Sequence, residues 1–206
     1  MVRIVSDTST LYSTAQAREA GFAVSPLAVT IAGESYRELD EMTPERFVEI
    51  IAEGNMPASS QPAIGEVMDL YQEYAGEEII NISIADFDYL RRGGRLSPLV
   101  SLVGKTIKLA PVLTQSEDGR QLVMSAVKRS YKLALQHVAQ KLAEHGVGKG
   151  WRIYITHAVH ERRCLEAKAV MEAAFPEATI ECYTLTPAFI TQGGPSCVAV
   201  QVVREI

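Results

Sequence analysis

Four short clusters in the 206-residue sequence carry side chains able to do chemistry. Ser6-Asp7-Thr8-Ser9 places three hydroxyls and a carboxylate directly after the apolar Val2–Val5. A polar cluster at the carboxyl end of a first strand is where α/β folds put ligand sites, although Ser, Thr and Asp also simply cap helices. Ser59-Ser60-Gln61-Pro62 sets two hydroxyls and an amide before a helical stretch. Hydroxyls beside helix N-terminal amides hold a carboxylate or phosphate, and plain capping is the simpler account. Arg91-Arg92-Gly93-Gly94-Arg95 combines close backbone approach at the glycines with the forked guanidinium that grips carboxylates and phosphates, against the bland alternative of a solvated turn. Thr191-Gln192-Gly193-Gly194-Pro195-Ser196 reads as a rigid glycine loop that sets its backbone against a ligand or another chain, or simply makes a hairpin connection. The second and third of these clusters share the chemistry of holding an anion. No general base or nucleophile stands beside the arginines, which argues against an enzyme.

Those clusters need elements to position them. Val2–Val5 reads as a strand, Thr14–Gly21 as a helix closed by glycine, and Phe22–Ile31 as a second strand broken at Pro26. Thr43-Pro44 supplies a cap and a first-turn proline for a helix that ends at Gly54. Residues 55–61 read as a loop, Ala63–Tyr74 as an amphipathic helix and Ile79–Ile84 as a third strand. This alternation predicts a parallel α/β sheet. Beyond it, Leu109–Thr114 and Gln121–Ser125 flank Glu117-Asp118-Gly119 as a hairpin. Lys128–His145 and Glu161–Phe175 read as helices; Arg152–Thr156, Thr179–Leu185 and Cys197–Val203 read as strands. The expectation is two lobes. Residues 1–85 form an α/β lobe with a parallel sheet, and residues 86–206 an α+β lobe with a mixed or antiparallel sheet.

Composition narrows the function. A net charge of −5 excludes bulk attraction to nucleic acid. Three cysteines without a CxxC pair do not make a disulfide framework, and they fit the reducing cytoplasm. The opening MVRIVSD turns polar too soon for a signal peptide, and no apolar run approaches the ~20 residues of a membrane span. His157-x-x-His160-Glu161 matches no zinc signature, so no metal is expected.

Taken in order, the motifs resemble the DegV family of bacterial fatty-acid-binding proteins over nearly the whole chain. VRIVSDTST is similar to the family's strand followed by Thr/Ser-Asp-Ser. SPLAVTIAGESYRELDEMTPERF is similar to a segment in which a Pro-Leu strand leads to a Tyr and an acidic residue. SSQPAIGE resembles Thr-Ser-Gln-Pro-Ser, YLRRGGRLS resembles Tyr-Leu-Arg-x-Gly-Gly-Arg-Ile-Ser, and TQGGPS resembles Thr-His-x-Gly-Pro-Gly. LAPVLTQSEDGR and AVKRSYKLAL resemble the family's Lys-Pro-Ile-Leu…Asp-Gly segment and the Arg-containing helix start after it. The resemblance implies a two-lobed DegV-like fold with a long acyl chain in an apolar tunnel between lobes. It implies no cofactor, only a fatty acid as ligand, and a separate ATP-dependent fatty acid kinase as partner. The chain would then be a carrier without catalysis of its own, cytoplasmic, with a transient membrane contact compatible with its cargo. By the same resemblance Ser59 binds the carboxylate, with Ser60, Thr8 and Ser83 as further hydroxyl candidates. Arg92, Gly93, Gly94, Arg95, Arg129, Thr191, Gln192 and Gly193 form the head-group and partner region.

Three departures bear on this reading. Gln192 stands where the family has His, so it hydrogen-bonds but carries no proton at neutral pH. Ser59 replaces Thr, and Ala63 replaces Ser. The Leu-Ser-Gly-Thr-Tyr motif, with the family's second carboxylate-binding Ser, is absent: Ala85 adjoins Asp86 where several dozen residues are expected. A first lobe truncated in this way exposes apolar surface. The alternative function is a degenerate DegV paralogue acting as an interaction or regulatory module without lipid.

Overall fold

The computed structural model describes residues 2–82, 110–115 and 122–205. They fall into two compact units that are not contiguous in sequence. The first unit takes the amino-terminal half together with Ala158–His160 and Thr184–Cys197; the second takes the rest.

In the first unit, β1 (Val2–Asp7) lies between β2 (Ala23–Ser25) and β6 (Glu78–Ile82), parallel to both. Between β1 and β2, α1 (Thr14–Glu19) starts with a reciprocal capping box: Ser13 accepts from the amide of Gln16, and the Gln16 side chain accepts from the amide of Ser13. Gly21, at a φ of 89°, then turns the chain back to β2. The expected strand over residues 22–31 is in fact two. Pro26 ends β2, and β3 (Ala28–Ile31) enters a different, antiparallel sheet. There β3 pairs with β4 (Glu34–Arg37) through a two-residue turn, with Ala32 and Gly33 both at positive φ as a type I′ hairpin requires.

The other edge of this sheet corrects a second expectation. Residues 55–61 are not all loop: β5 (Ala58–Ser60) pairs antiparallel with β3, Ser59 opposite Val29 and Ser60 opposite Ala28. α2 (Pro44–Ala52), capped by Thr43, shares a core with β3, and α3 (Ile64–Glu73) packs against β2. Arg3 in β1 pairs with Glu77 at 3.2 Å and stacks on the ring of Tyr74, fastening the end of α3 to the parallel sheet.

The core of this unit gathers Val29, Ile31, Met42, Phe47 and Ile50 with Leu185, Ala188 and Ile190. The last three come from the segment that the sequence assigns to the second lobe. That segment contains α6 (Pro187–Gly193), a helix where a glycine loop was expected at Thr191–Gly193. Burial of its apolar side outweighs the glycines, which stand only at the helix end, Gly194 at a φ of 77°.

In the second unit, β9 (Trp151–His157) is the central strand between β10 (Thr179–Thr184) and β11 (Val198–Arg204), with β11 antiparallel to it. A separate antiparallel hairpin joins β7 (Ala110–Gln115) to β8 (Leu122–Lys128), as the sequence predicts. The strand continues to Lys128, so the helix expected from that residue starts later, as α4 (Tyr131–Glu144) capped by Ser130. Cys164, Ala167 and Met171 of α5 (Glu161–Ala174) share a core with Leu135 and Ala139 of α4 and with Ile153 and Ile155 of β9. No helix among the described residues is long and apolar enough to cross a membrane.

Candidate ligand site of the first unit

Thr8 begins a short helical turn at the carboxyl end of β1. Asp7 caps that turn, its carboxylate accepting the Ser9 amide at 2.8 Å. Thr8 is fully buried, and its hydroxyl is engaged on both sides. It donates to the Glu38 carboxyl and accepts the Leu27 amide at 3.0 Å. A hydroxyl has one proton to give, and here it goes to Glu38. Thr8 therefore does not offer the donor expected of it.

Glu38 is the residue that sequence reasoning left unassigned. It follows β4, is wholly buried, and reaches α6 with its second oxygen, which accepts the Ala188 amide at 2.6 Å. Burial pushes its carboxyl above the ordinary carboxylate range. The bonds from Thr8 and Ala188 pull it back, and the charge of Asp7 raises it further. The available signal was the Tyr-and-acidic-residue pattern at Tyr36–Glu38, but Glu34, Glu38, Asp40 and Glu41 crowd one polar stretch and only folding distinguishes them.

The same helix α6 packs against β5, so the unit brings Ser59 and Ser60 together with the helix that ends in Thr191, Gln192 and Gly193. Two of the four sequence clusters thus meet. Ser59 is half-buried and Ser60 exposed, and neither caps α3, whose N-cap is Ala63 without a side-chain bond. The simpler capping account of these serines is therefore not what the fold uses. Ser25, opposite Asp7 at the end of β2, adds a buried hydroxyl with no hydrogen-bond partner among the described residues. It is an open donor that the sequence did not single out.

Arg129 lies exposed in the second unit, just before the Ser130 cap. Ser83 and Arg92-Gly93-Gly94-Arg95 lie outside the described residues. A surface cavity of ≈ 440 Å³ in the first unit is walled by Tyr36, Arg37, Glu41 and Glu66 among others. Its arginine is already paired with Glu41 at 2.9 Å and faces Glu66 at 3.9 Å, so it offers little free charge to an anion. Among the described residues no cluster of His, Cys, Asp and Glu could hold a metal ion.

The model of the DegV family, described as uncharacterised proteins, matches residues 1–85 and 79–205. This chain belongs to the DegV family. A DegV domain-containing protein of Listeria monocytogenes is 23% identical over 272 residues, covering 94% of this chain and 95% of its own. Another, of Lactococcus lactis, is 34% identical over 103 residues, 47% of this chain and 37% of the relative. An alignment of 272 residues exceeds the 206 of this chain, so the Listeria protein has positions that this DegV chain lacks. The break in the family match falls at residues 79–85.

Among solved structures, a fatty acid binding DegV family protein from Streptococcus agalactiae superposes with a TM-score of 0.78 at 19% identity, covering 100% of this chain and 99% of that one. A DegV family protein from Eubacterium eligens loaded with heptadecanoic acid gives 0.74 at 12% identity, covering both chains fully. These likenesses show that the chain has the DegV fold.

Proposed function

We propose that this chain binds a long-chain fatty acid non-covalently, holds its carboxylate beside Ser59, and presents it to a separate ATP-dependent fatty acid kinase. The observation that supports this reading is the packing of α6, the helix that carries Thr191 and Gly193, against β5, the strand that carries Ser59 and Ser60. A buried carboxylate needs hydrogen-bond donors, and an acyl chain repays burial at about 0.8 kcal/mol per CH₂. Ser60, Ser83 and Ser25 are further donors in this reading. By the family resemblance, Arg92, Gly93, Gly94, Arg95, Arg129 and Gln192 are the residues that meet the head group and the kinase in this reading. The chain does no chemistry itself and works in the cytoplasm, where its cysteines stay reduced.

Organic extraction of the purified protein followed by mass spectrometry tests the carrier. One fatty acid per chain is expected. Ser59→Ala should weaken binding about 10- to 100-fold, the worth of a hydrogen bond to a charged group. Full occupancy in that variant would sink the assignment of Ser59. Kinase plus ATP should yield acyl phosphate slowly with the parent carrier and faster with Gln192→His, which restores a side chain that can carry a proton; none with either would refute presentation to a kinase.

A second reading is a degenerate paralogue that serves as an interaction module. It is favoured by the positions that this chain lacks relative to the Listeria protein and by the division of the family match at residues 79–85, near which the family resemblance leads one to expect a carboxylate-binding serine. A well-folded protein that yields no lipid on extraction, and takes up none when offered, would select it.

A further inference from the structure

We infer that Glu38 is a positioning residue for the head-group site: its carboxyl holds the first turn of α6 and thereby fixes Thr191 and Gly193 against the Ser59–Ser60 strand. The inference rests on the reading of that site as the fatty-acid carboxylate pocket.

Helix α6 has little of its own to hold its start. Its N-cap, Thr186, makes no side-chain cap bond, and its first residue, Pro187, has no N–H. The next amide, of Ala188, is buried and would be an orphan. Glu38 accepts it at 2.6 Å from 150 residues away. The other carboxyl oxygen takes the Thr8 hydroxyl, which in turn takes the amide of Leu27. Leu27 begins the link from the parallel sheet into β3, and β3 carries β5. One carboxyl therefore ties the ligand helix, through Thr8, to the strands that present Ser59. A leucine would fill the same space in this core at lower cost, since burying a carboxyl is expensive unless its bonds are needed. The neutral acid still accepts through its carbonyl oxygen, so the tie depends on the oxygens rather than on the charge.

Hydrogen–deuterium exchange across residues 187–193, together with binding of a fluorescent fatty acid to delipidated protein, tests the inference in Glu38→Leu, Glu38→Gln and Thr8→Val. Glu38→Leu should speed exchange in α6 about tenfold and weaken binding by about the same factor, the two linked through one lost buried hydrogen bond. Glu38→Gln, which keeps the acceptor for Ala188, should restore both to within about threefold. Thr8→Val should weaken binding with α6 exchange near that of the parent, and keeps the test alive if Glu38→Leu does not fold. Unchanged α6 exchange in Glu38→Leu would overturn the tie. Faster exchange with undiminished binding would overturn its role in ligand positioning. A parent protein that binds no fatty acid would overturn the reading of the site instead, while the exchange data would still decide whether Glu38 holds α6.

Discussion

Gly193 stands so close to Cys197 that a Cβ added to it would lie 2.5 Å from the cysteine Sγ and 3.0 Å from its Cβ. The glycine at the end of α6 is thus required by close approach, with the chain doubling back through Gly194 and Ser196, both at positive φ.

Gly193→Ala should cost about 1–3 kcal/mol, the usual penalty of overpacking. In a Cys197→Ala background part of that cost should return, because the sulfur is gone but the Cβ contact remains. Urea unfolding of the two singles and the double measures it. A single variant as stable as the parent would show that the helix end yields freely.

Glu38 gives the stability a pH signature. Burial raises its folded-state value above the ordinary 4.5. Between those values the folded chain holds more proton than the unfolded one, so this contribution is full below 4.5 and is lost as pH rises through the folded value. Exposed acids such as Glu41, lowered by its bonds to Arg37, act in the opposite direction. Comparison with Glu38→Gln cancels them. The stability of the Gln variant relative to the parent should grow as pH rises from 4.5 through the folded-state value of Glu38. A flat or falling difference would refute the burial argument.

Phe47 is fully enclosed in the first core, and Phe47→Ala should destabilise by about 3–5 kcal/mol. Met68 is 55% exposed on α3, and its alanine variant should stay within about 0.5 kcal/mol. Equal losses at the two positions would mean that the first unit is not packed as described.

Burial, with the hydrogen bond that the Cys164 thiol donates toward Cys182 adding to it, pushes the Cys164 thiol up to about 12. Because the thiolate is the nucleophile, Cys164 should resist iodoacetamide in the native protein and react only on unfolding. Cys182 and Cys197 are less buried and should react earlier. Peptide mass spectrometry after timed alkylation reads the order, and early loss of the Cys164 thiol would contradict it.

Element type was legible in the sequence wherever periodicity and punctuation agreed. The Thr43-Pro44 start of α2, the β7–β8 pairing and the α5 helix ahead of Pro176 follow from local chemistry alone. What local chemistry could not supply was partnership. Pro26 marks a break, but nothing in Phe22–Ile31 says that its halves join different sheets. Ala32-Gly33 forms a primed turn without the Asn-Gly or Asp-Gly signal that normally announces one. Ser59 and Ser60 look like capping residues until β3 is there to pair with them. In the site, the hydroxyl clusters were visible as residue types. The carboxyl that links two of them was not, because a buried glutamate and a solvated one are spelled alike.

The return of Thr184–Cys197 to the first unit also sets an order of events during synthesis. Leu185, Ala188 and Ile190 leave the ribosome more than a hundred residues after Phe47, so the first core waits, unfilled, for most of the chain to be made. Contacts so distant in sequence are slow to close, and until then the apolar side of β3 and α2 is available to chaperones or to other nascent chains. A product that stops at Tyr183 should accumulate as aggregate despite containing β1 to β6, the described strands of the first unit, and co-expression of residues 184–206 in trans should rescue little of it. Soluble, cooperatively folding product from that truncation would show that the early half completes itself without its late-arriving helix.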